Sequence, residues 1–192
     1  IRAAAIFGGK TQSKGRSVKV TAVIVSYNSD LDRLQKILIA LLGQCGLIIA
    51  DNSDDVEKSA EIRSFAKAQR AVFLPMGGDK GIGAAQNAAI QQAFLQDAES
   101  VLLLDDDSIP DANLVAALLA CRSLGGESAA IYSAISLDAQ GKNISHVPNI
   151  CGTIAKCREM RSSGTLISRE VFRRVGPFDE DLFIDCVDFD WG

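Results

Sequence analysis

From Val18 onward the chain alternates short β-branched apolar runs with longer stretches whose apolar residues recur at helical spacing. VKVTAVIVSY (18–27) reads as a first strand, apolar nearly throughout, as expected of a strand covered on both faces. LDRLQKILIALLGQ (31–44) follows as a helix opened by Ser29 or Asp30 and closed near Gly43. GLIIADNS (46–53) is a second strand, EKSAEIRSFAKAQ (57–69) a polar-faced helix and AVFLP (71–75) a third strand. MGGDKGIG (76–83) leads into the helix AAQNAAIQQAFLQ (84–96), and SVLLLD (100–105) is the fourth strand. ANLVAALLACRSL (112–124) makes another helix after Pro110, and AAIYSAIS (129–136) another strand. SLDAQGKNISHVPN is turn-rich and reads as a hairpin or excursion. Residues 1–17 read as a flexible extension; their GGKT is no phosphate loop, because the first glycine of GxxxxGK[ST] would fall at Ala4.

This alternation predicts an α/β domain with a largely parallel sheet. Three predicted strands end in polar residues: Ser26, Tyr27 and Asn28; Asp51 and Asn52; Asp105, Asp106 and Asp107. In a parallel sheet those ends share one edge, where such folds place their ligands, so three local motifs become one candidate pocket.

Composition narrows the partners. With 192 residues, 47% hydrophobic and 23% charged, the chain suits one domain with a substantial core. A net charge of -4 argues against a nucleic-acid surface, since a polyphosphate backbone needs the opposite field. No apolar run approaches the roughly 20 residues of a membrane-spanning helix, which implies a soluble chain. Five cysteines without a CxxC pair fit reduced thiols, and the single histidine, His146, has no ligand-spaced partner for zinc and reads as exposed.

The candidate chemistry is carboxylate chemistry. VLLLDDDSIP (101–110) drives an apolar strand into three like charges, which raises the energy of the ionised site unless a positive partner sits there. Magnesium is commonly held by one or two carboxylates plus substrate phosphates, so Asp105 and Asp107 are candidate ligands with Asp106 pointing elsewhere. The bland alternative is an acidic turn in which Ser108 or Asp111 caps the next helix. The loop 77–83 fails as a dinucleotide fingerprint, because Gln86 stands where the third glycine belongs, though its glycines still let backbone approach a ligand. RRVGPFDEDLFIDCVDFDW (173–191) interleaves six acids with aromatic and aliphatic residues, which points to carboxylates aimed at something specific rather than to a solvated turn.

Together VIVSYN (23–28), ADNSDD (50–55), GGDKGIGAAQNAAI (77–90), LLLDDDSIP (102–110), SSGTLISREVFRRVGPFDEDLFID (162–185) and VDFDW (187–191) resemble the family 2 glycosyltransferases, particularly their rhamnosyltransferase-like branch. The resemblance runs from about Val20 to Trp191 and implies the GT-A fold, a three-layer α/β sandwich with a mostly parallel central sheet, over residues 18–192. It implies inverting transfer of a hexose, rhamnose the first choice, from a nucleoside-diphosphate sugar such as dTDP-rhamnose to a saccharide or lipid-linked acceptor in cell-surface polysaccharide synthesis. Mg2+ or Mn2+ would bridge the donor's diphosphate to Asp107, with Asp105 near the ribose and the metal. Ser26, Tyr27 and Asn28 would line the nucleotide pocket and Asp51 would contact the base. Lys80, Gly81 and Gln86 or Asn87 would border nucleotide and sugar, and Gly164 and Thr165 would lie near the donor sugar or acceptor. Asp188 matches the catalytic base; Val187 replaces a frequent glutamate, which keeps Asp185 and Asp190 as rivals.

Because the chain stops at Gly192, just past that base, the resemblance also implies a domain truncated at its C-terminal end, with peripheral membrane association through the missing part, or else an unusually short member of the family. The location it implies is the cytoplasm, at the inner membrane face. Two other readings stay open: a non-catalytic nucleotide-sugar-binding module, and a nucleotidyltransferase, which would want a basic phosphate loop that VIVSYNSD lacks.

Overall fold

Strand β2 (Val20–Ser26) sits at the centre of the sheet because its side chains from Ala22 to Val25 are apolar on both faces and each face has a helix layer to cover it. Ala22 and Ile24 face one core with Leu34, Ile37, Leu41, Ile49, Ile62, Leu102, Leu104 and Leu118; Val23 faces the other with Ile48, Ala89, Ile90, Leu103, Ile167 and Phe178. The computed structural model describes residues 2–4, 18–125, 131–138, 140–145 and 161–191. His146, Cys151, Cys157 and the GGKT run lie outside the described residues.

Around β2 are arranged β3 (Gly46–Asp51), β4 (Val72–Pro75) and β5 (Ser100–Asp105), all parallel, with β9 (Thr165–Ser168) antiparallel to β5 and β7 (Ile131–Ser133) antiparallel to β9. The order is β4-β3-β2-β5-β9-β7. A second sheet pairs β1 (Arg2–Ala4) with β6 (Ile109–Pro110) and with β8 (Ile135–Leu137). The predicted strand over 129–136 is therefore two strands in two sheets, parted at Ala134, whose N–H donates to the Gly164 carbonyl at 2.9 Å. The predicted excursion after it closes through an antiparallel bridge between Leu137 and Asn143.

Helices α1 (Leu31–Leu41), α2 (Val56–Ala68) and α4 (Leu114–Gly125) lie on one face, and α3 (Ile82–Leu95) on the other with α5 (Arg169–Val175) and α6 (Val187–Trp191). Asp30, not Ser29, caps α1 by accepting from the Arg33 N–H, and Asp55 caps α2 by accepting from Glu57 and Lys58. Helix α3 packs through Ala85, Ala89 and Ala93, small residues that bring its axis close to the sheet. Among the described residues no helix is long and apolar enough to cross a membrane. Among the described residues Cys45, Cys121 and Cys186 form no disulfide with one another, and burial pushes the Cys45 thiol up to about 11.

The register places the polar strand ends side by side: Ser26 opposite Asp51, Val25 opposite Asp105, and Asp51 opposite Pro75. The shared edge expected of a parallel sheet is thus present.

Candidate active site

The first two strand ends are tied by hydroxyls. Ser26 Oγ and Ser53 Oγ donate to Asp51 Oδ1 at 2.9 and 2.6 Å, while Asp51 Oδ2 is buried with no partner among the described residues. Ser26 is itself fully buried, so it acts on the pocket through Asp51. Tyr27 is half exposed; its hydroxyl donates to Asp54 Oδ2 at 3.0 Å, a bond that holds the phenol above its ordinary pKa. The Asp79 amide, with Tyr27, holds the Asp54 carboxyl below its own. Asn28, at φ 48°, accepts from the Asp55 N–H through its side chain.

The three acids at the end of β5, Asp105 in the strand and Asp106 and Asp107 in the turn after it, make different contacts. Asp106 turns back to the β2 end, accepting from the Tyr27 N–H at 3.3 Å and meeting the Ser29 hydroxyl. Asp107 Oδ1 accepts from Ser108 Oγ at 3.1 Å. Asp105 has a buried Oδ1 with no partner among the described residues, and its carboxyl is pushed up to about 7, first by burial, then by Asp107, Asp188 and Asp106, with Arg161 opposing. Asp188, on α6, thus lies within electrostatic reach of the same carboxyl.

Residues 161–165 wrap the end of β5 and hold both partners. Ser162 N–H donates to Asp188 Oδ2 at 2.9 Å, and the next residue, Ser163, accepts from the Asp105 N–H through its hydroxyl at 3.1 Å. Gly164 N–H caps the Leu103 carbonyl at 2.8 Å. Thr165 is sealed in the core, its hydroxyl paired with Ser133 at 2.6 Å and with the Arg161 carbonyl. Sequence reasoning singled out Gly164 and Thr165 here and missed Arg161, Ser162 and Ser163; two adjacent serines beside the glycine were the available signal.

The glycine loop is bound at both sides. Asn52 Nδ2 donates to the Gly81 carbonyl at 3.0 Å and Asn52 Oδ1 receives the Lys80 N–H at 3.4 Å. Gly81, at φ +82°, has no room for a side chain, since a Cβ would meet the Phe183 carbonyl oxygen at 2.6 Å. Gln86 is buried with its Oε1 unpartnered among the described residues, and Asn87 is buried with its amide turned to Phe178. Asp185 and Asp190 are exposed, whereas Asp188 is partly buried. A cavity of about 510 Å³ beside Asp107 is lined by Asp30, Asp32, Arg33, Lys36 and Ile109.

Among the described residues no group of three or more His, Cys, Asp or Glu side chains is arranged to hold a metal ion. Asp105 and Asp107 nonetheless fit a hard divalent cation that takes its remaining oxygens from a diphosphate, and the orphaned, buried Asp105 Oδ1 is a carboxylate oxygen in want of such a partner.

A mostly parallel sheet whose strand ends gather carboxylates, closed by an antiparallel strand and a short helix bearing a further acid, is the GT-A fold of nucleotide-sugar transferases. The chain belongs to glycosyl transferase family 2, whose family model matches residues 21–177. It is similar to the dTDP-rhamnosyl transferase RfbF of Shigella flexneri, at 31% identity over 189 aligned positions that take in 90% of this chain and 61% of that protein. The chain therefore spans about three fifths of the length of this curated relative. Among solved structures, S. aureus TarS 1-349 in complex with UDP aligns with a TM-score of 0.63 at 16% identity, over 91% of this chain and 54% of that one. TarS 1-349 alone aligns at 0.61 and 14%, over 89% and 53%. These likenesses establish the fold.

Proposed function

We propose that residues 18–192 form the catalytic domain of an inverting glycosyltransferase that moves rhamnose from dTDP-rhamnose to a saccharide or lipid-linked acceptor. The observation that carries this reading is the pair of adjacent residues, Ser162 and Ser163, that bond Asp188 and Asp105 respectively and so set a candidate base beside a candidate metal ligand. The 31% identity to a dTDP-rhamnosyl transferase supports the donor. The setting we propose is the cytoplasm, at the inner membrane face when the acceptor is lipid-linked.

In this mechanism the acceptor oxygen forms its bond to the anomeric carbon as the bond from that carbon to the diphosphate oxygen breaks. The hydroxyl proton passes to the Asp188 carboxylate and the electron pair leaves with the diphosphate; attack from the opposite face inverts the centre. The Ser162 N–H holds Asp188 Oδ2 and leaves the other oxygen for the proton. When bound at Asp105 and Asp107, Mg2+ or Mn2+ supplies positive charge for the departing diphosphate. Asp51, with Oδ1 saturated by two serines and Oδ2 unspent, is suited to accept the imide N–H of a pyrimidine base. Tyr27, Asn28, Lys80, Gly81 and Gln86 border that nucleotide in the same reading.

The test is release of dTDP from dTDP-rhamnose, with water or an added saccharide as acceptor. Asp188→Asn is expected to slow it by about 100-fold or more, the scale of general-base catalysis, and to leave dTDP affinity unchanged by calorimetry. Undiminished turnover in a folded Asp188→Asn protein removes Asp188 from the base role. Faster turnover of UDP-GlcNAc than of dTDP-rhamnose overturns the donor assignment.

A further inference from the structure

Asn87 was expected to border the donor, yet it is 2% exposed in the body of α3 and its amide is spent on main chain and side chain of a distant segment. Its Oδ1 accepts from the Phe178 N–H at 2.9 Å, and its Nδ2 donates to the Phe178 carbonyl and to Glu180 Oε1, each at 2.9 Å. One side chain thus satisfies both polar main-chain groups of a buried residue, whose orphaning would cost the desolvation of each.

The same segment is gripped again one turn nearer the start of α3. Ile82 N–H donates to the Phe183 carbonyl at 2.7 Å, and a Cβ on Gly83 would come within 3.1 Å of the Asp179 carbonyl oxygen. Phe183 has φ 59° and ψ -70°, and the Ile184 N–H bonds the Leu182 carbonyl at 2.7 Å across it. That is a γ-turn of the strained, positive-φ kind, which persists only where surrounding structure imposes it. Cys186 also has positive φ, at 65°, and α6 with Asp188 begins at the next residue.

We propose that Asn87 is a positioning residue for Asp188: by clamping Phe178 and Glu180 to α3 it imposes the turn at Phe183 and thereby the aim of α6. The inference rests on reading Asp188 as the base. It assigns Asn87 to the orientation of that base and not to contact with the nucleotide.

Glu180→Ala and Glu180→Gln test it beside Asn87→Ala, all in the full chain. Glu180 is exposed, so its variants fold; glutamine keeps the Oε1 acceptor and alanine removes it. Hydrogen exchange of amides 178–191 is expected to quicken about tenfold in Asn87→Ala and about threefold in Glu180→Ala, as for loss of one or more hydrogen bonds, with β2–β5 amides unchanged and Glu180→Gln like wild type. The kcat for dTDP release should fall in that same order, with KM for dTDP-rhamnose and Kd for dTDP within about twofold. Unchanged exchange over 178–191 overturns the clamp, as does an Asn87→Ala protein that keeps kcat and loses dTDP affinity. If Asn87→Ala fails to fold, the glutamate pair decides. A wild-type protein that releases no dTDP refutes the donor assignment, and the exchange comparison still decides the clamp.

Discussion

The parallel half of the sheet, β2 to β5, and the closing segment 161–191 build the two sides of one site by different physics. In the first, Ile24, Leu34, Ile48, Ile49, Leu102 and Leu103 are all sealed from solvent, and the strand ends are placed by hydrophobic burial and parallel register. In the second, Ile167, Phe178, Val187 and Trp191 are buried too, but α6 is only five residues long, Phe183, Ile184 and Phe189 stay exposed, and individual hydrogen bonds to Asn87, Ile82 and the Ser162 N–H add to burial in fixing its position. Burial is non-directional and forgiving of side-chain detail; a clamp of single hydrogen bonds is directional and fails when one partner is lost. The strand-end side of the candidate site is therefore part of the stable core, and the side that carries Asp188 leans more on single bonds and is the more easily displaced.

Truncating the core should affect the whole molecule. Ile24→Ala removes a fully buried side chain of the central strand and is expected to cost about 2 to 5 kcal/mol in global unfolding by denaturant, with one cooperative transition. An effect confined to 161–191 would break the distinction. The next effect in size depends on pH. The native Asp105 carboxyl keeps its proton to about 7 from an ordinary value of 3.8, so between those values the native state holds more protons than the unfolded one and stability falls as pH rises. The ceiling on that loss is about 4 kcal/mol. Asp105→Asn should recover roughly 2 kcal/mol of it at pH 8, since its amide is also incompletely paired, and show no gain at pH 4. Melting in the presence of EDTA at both pH values measures this, and added Mg2+ should narrow the difference at pH 8.

Gly81→Ala sharpens the comparison from the other side. It combines an unfavourable φ with a Cβ driven against the Phe183 carbonyl, and should cost about 2 kcal/mol and at least tenfold in turnover. Amide exchange should register the damage over 178–191 ahead of the sheet. The smallest effect is at a cap: Asp55→Ala leaves the Glu57 and Lys58 N–H groups without their acceptor and should cost about 1 kcal/mol with unchanged turnover.

Much of the first half was legible beforehand because its signals are local. Apolar runs ending in polar residues mark β2, β3 and β5, and one topological rule carries their ends to one edge. The closing segment offered no such signal. Its strand β9 is four residues long, and the acids after it, though interleaved with apolar residues, occur at several spacings that do not say which of them meets the strand ends. The family resemblance favoured Asp188 and kept Asp185 and Asp190 as rivals; in the structure Asp188 is the one of the three that is partly buried and accepts from the Ser162 amide. The contacts of Asn87 were not legible either: its amide bonds Phe178 and Glu180, and a helix-borne amide near a glycine loop looks the same along the chain whether it meets a ligand or a main chain.

From the order of its residues alone, this protein is an α/β domain with a carboxylate-lined strand edge and two candidate metal ligands. Periodicity and apolar run length are enough to state that. Which acid stands beside Asp105, and which buried amide holds the segment that carries it, depended on contacts between residues 26 to 93 positions apart. Such contacts are settled by packing and hydrogen-bond geometry in three dimensions, and no local pattern in the chain encodes them.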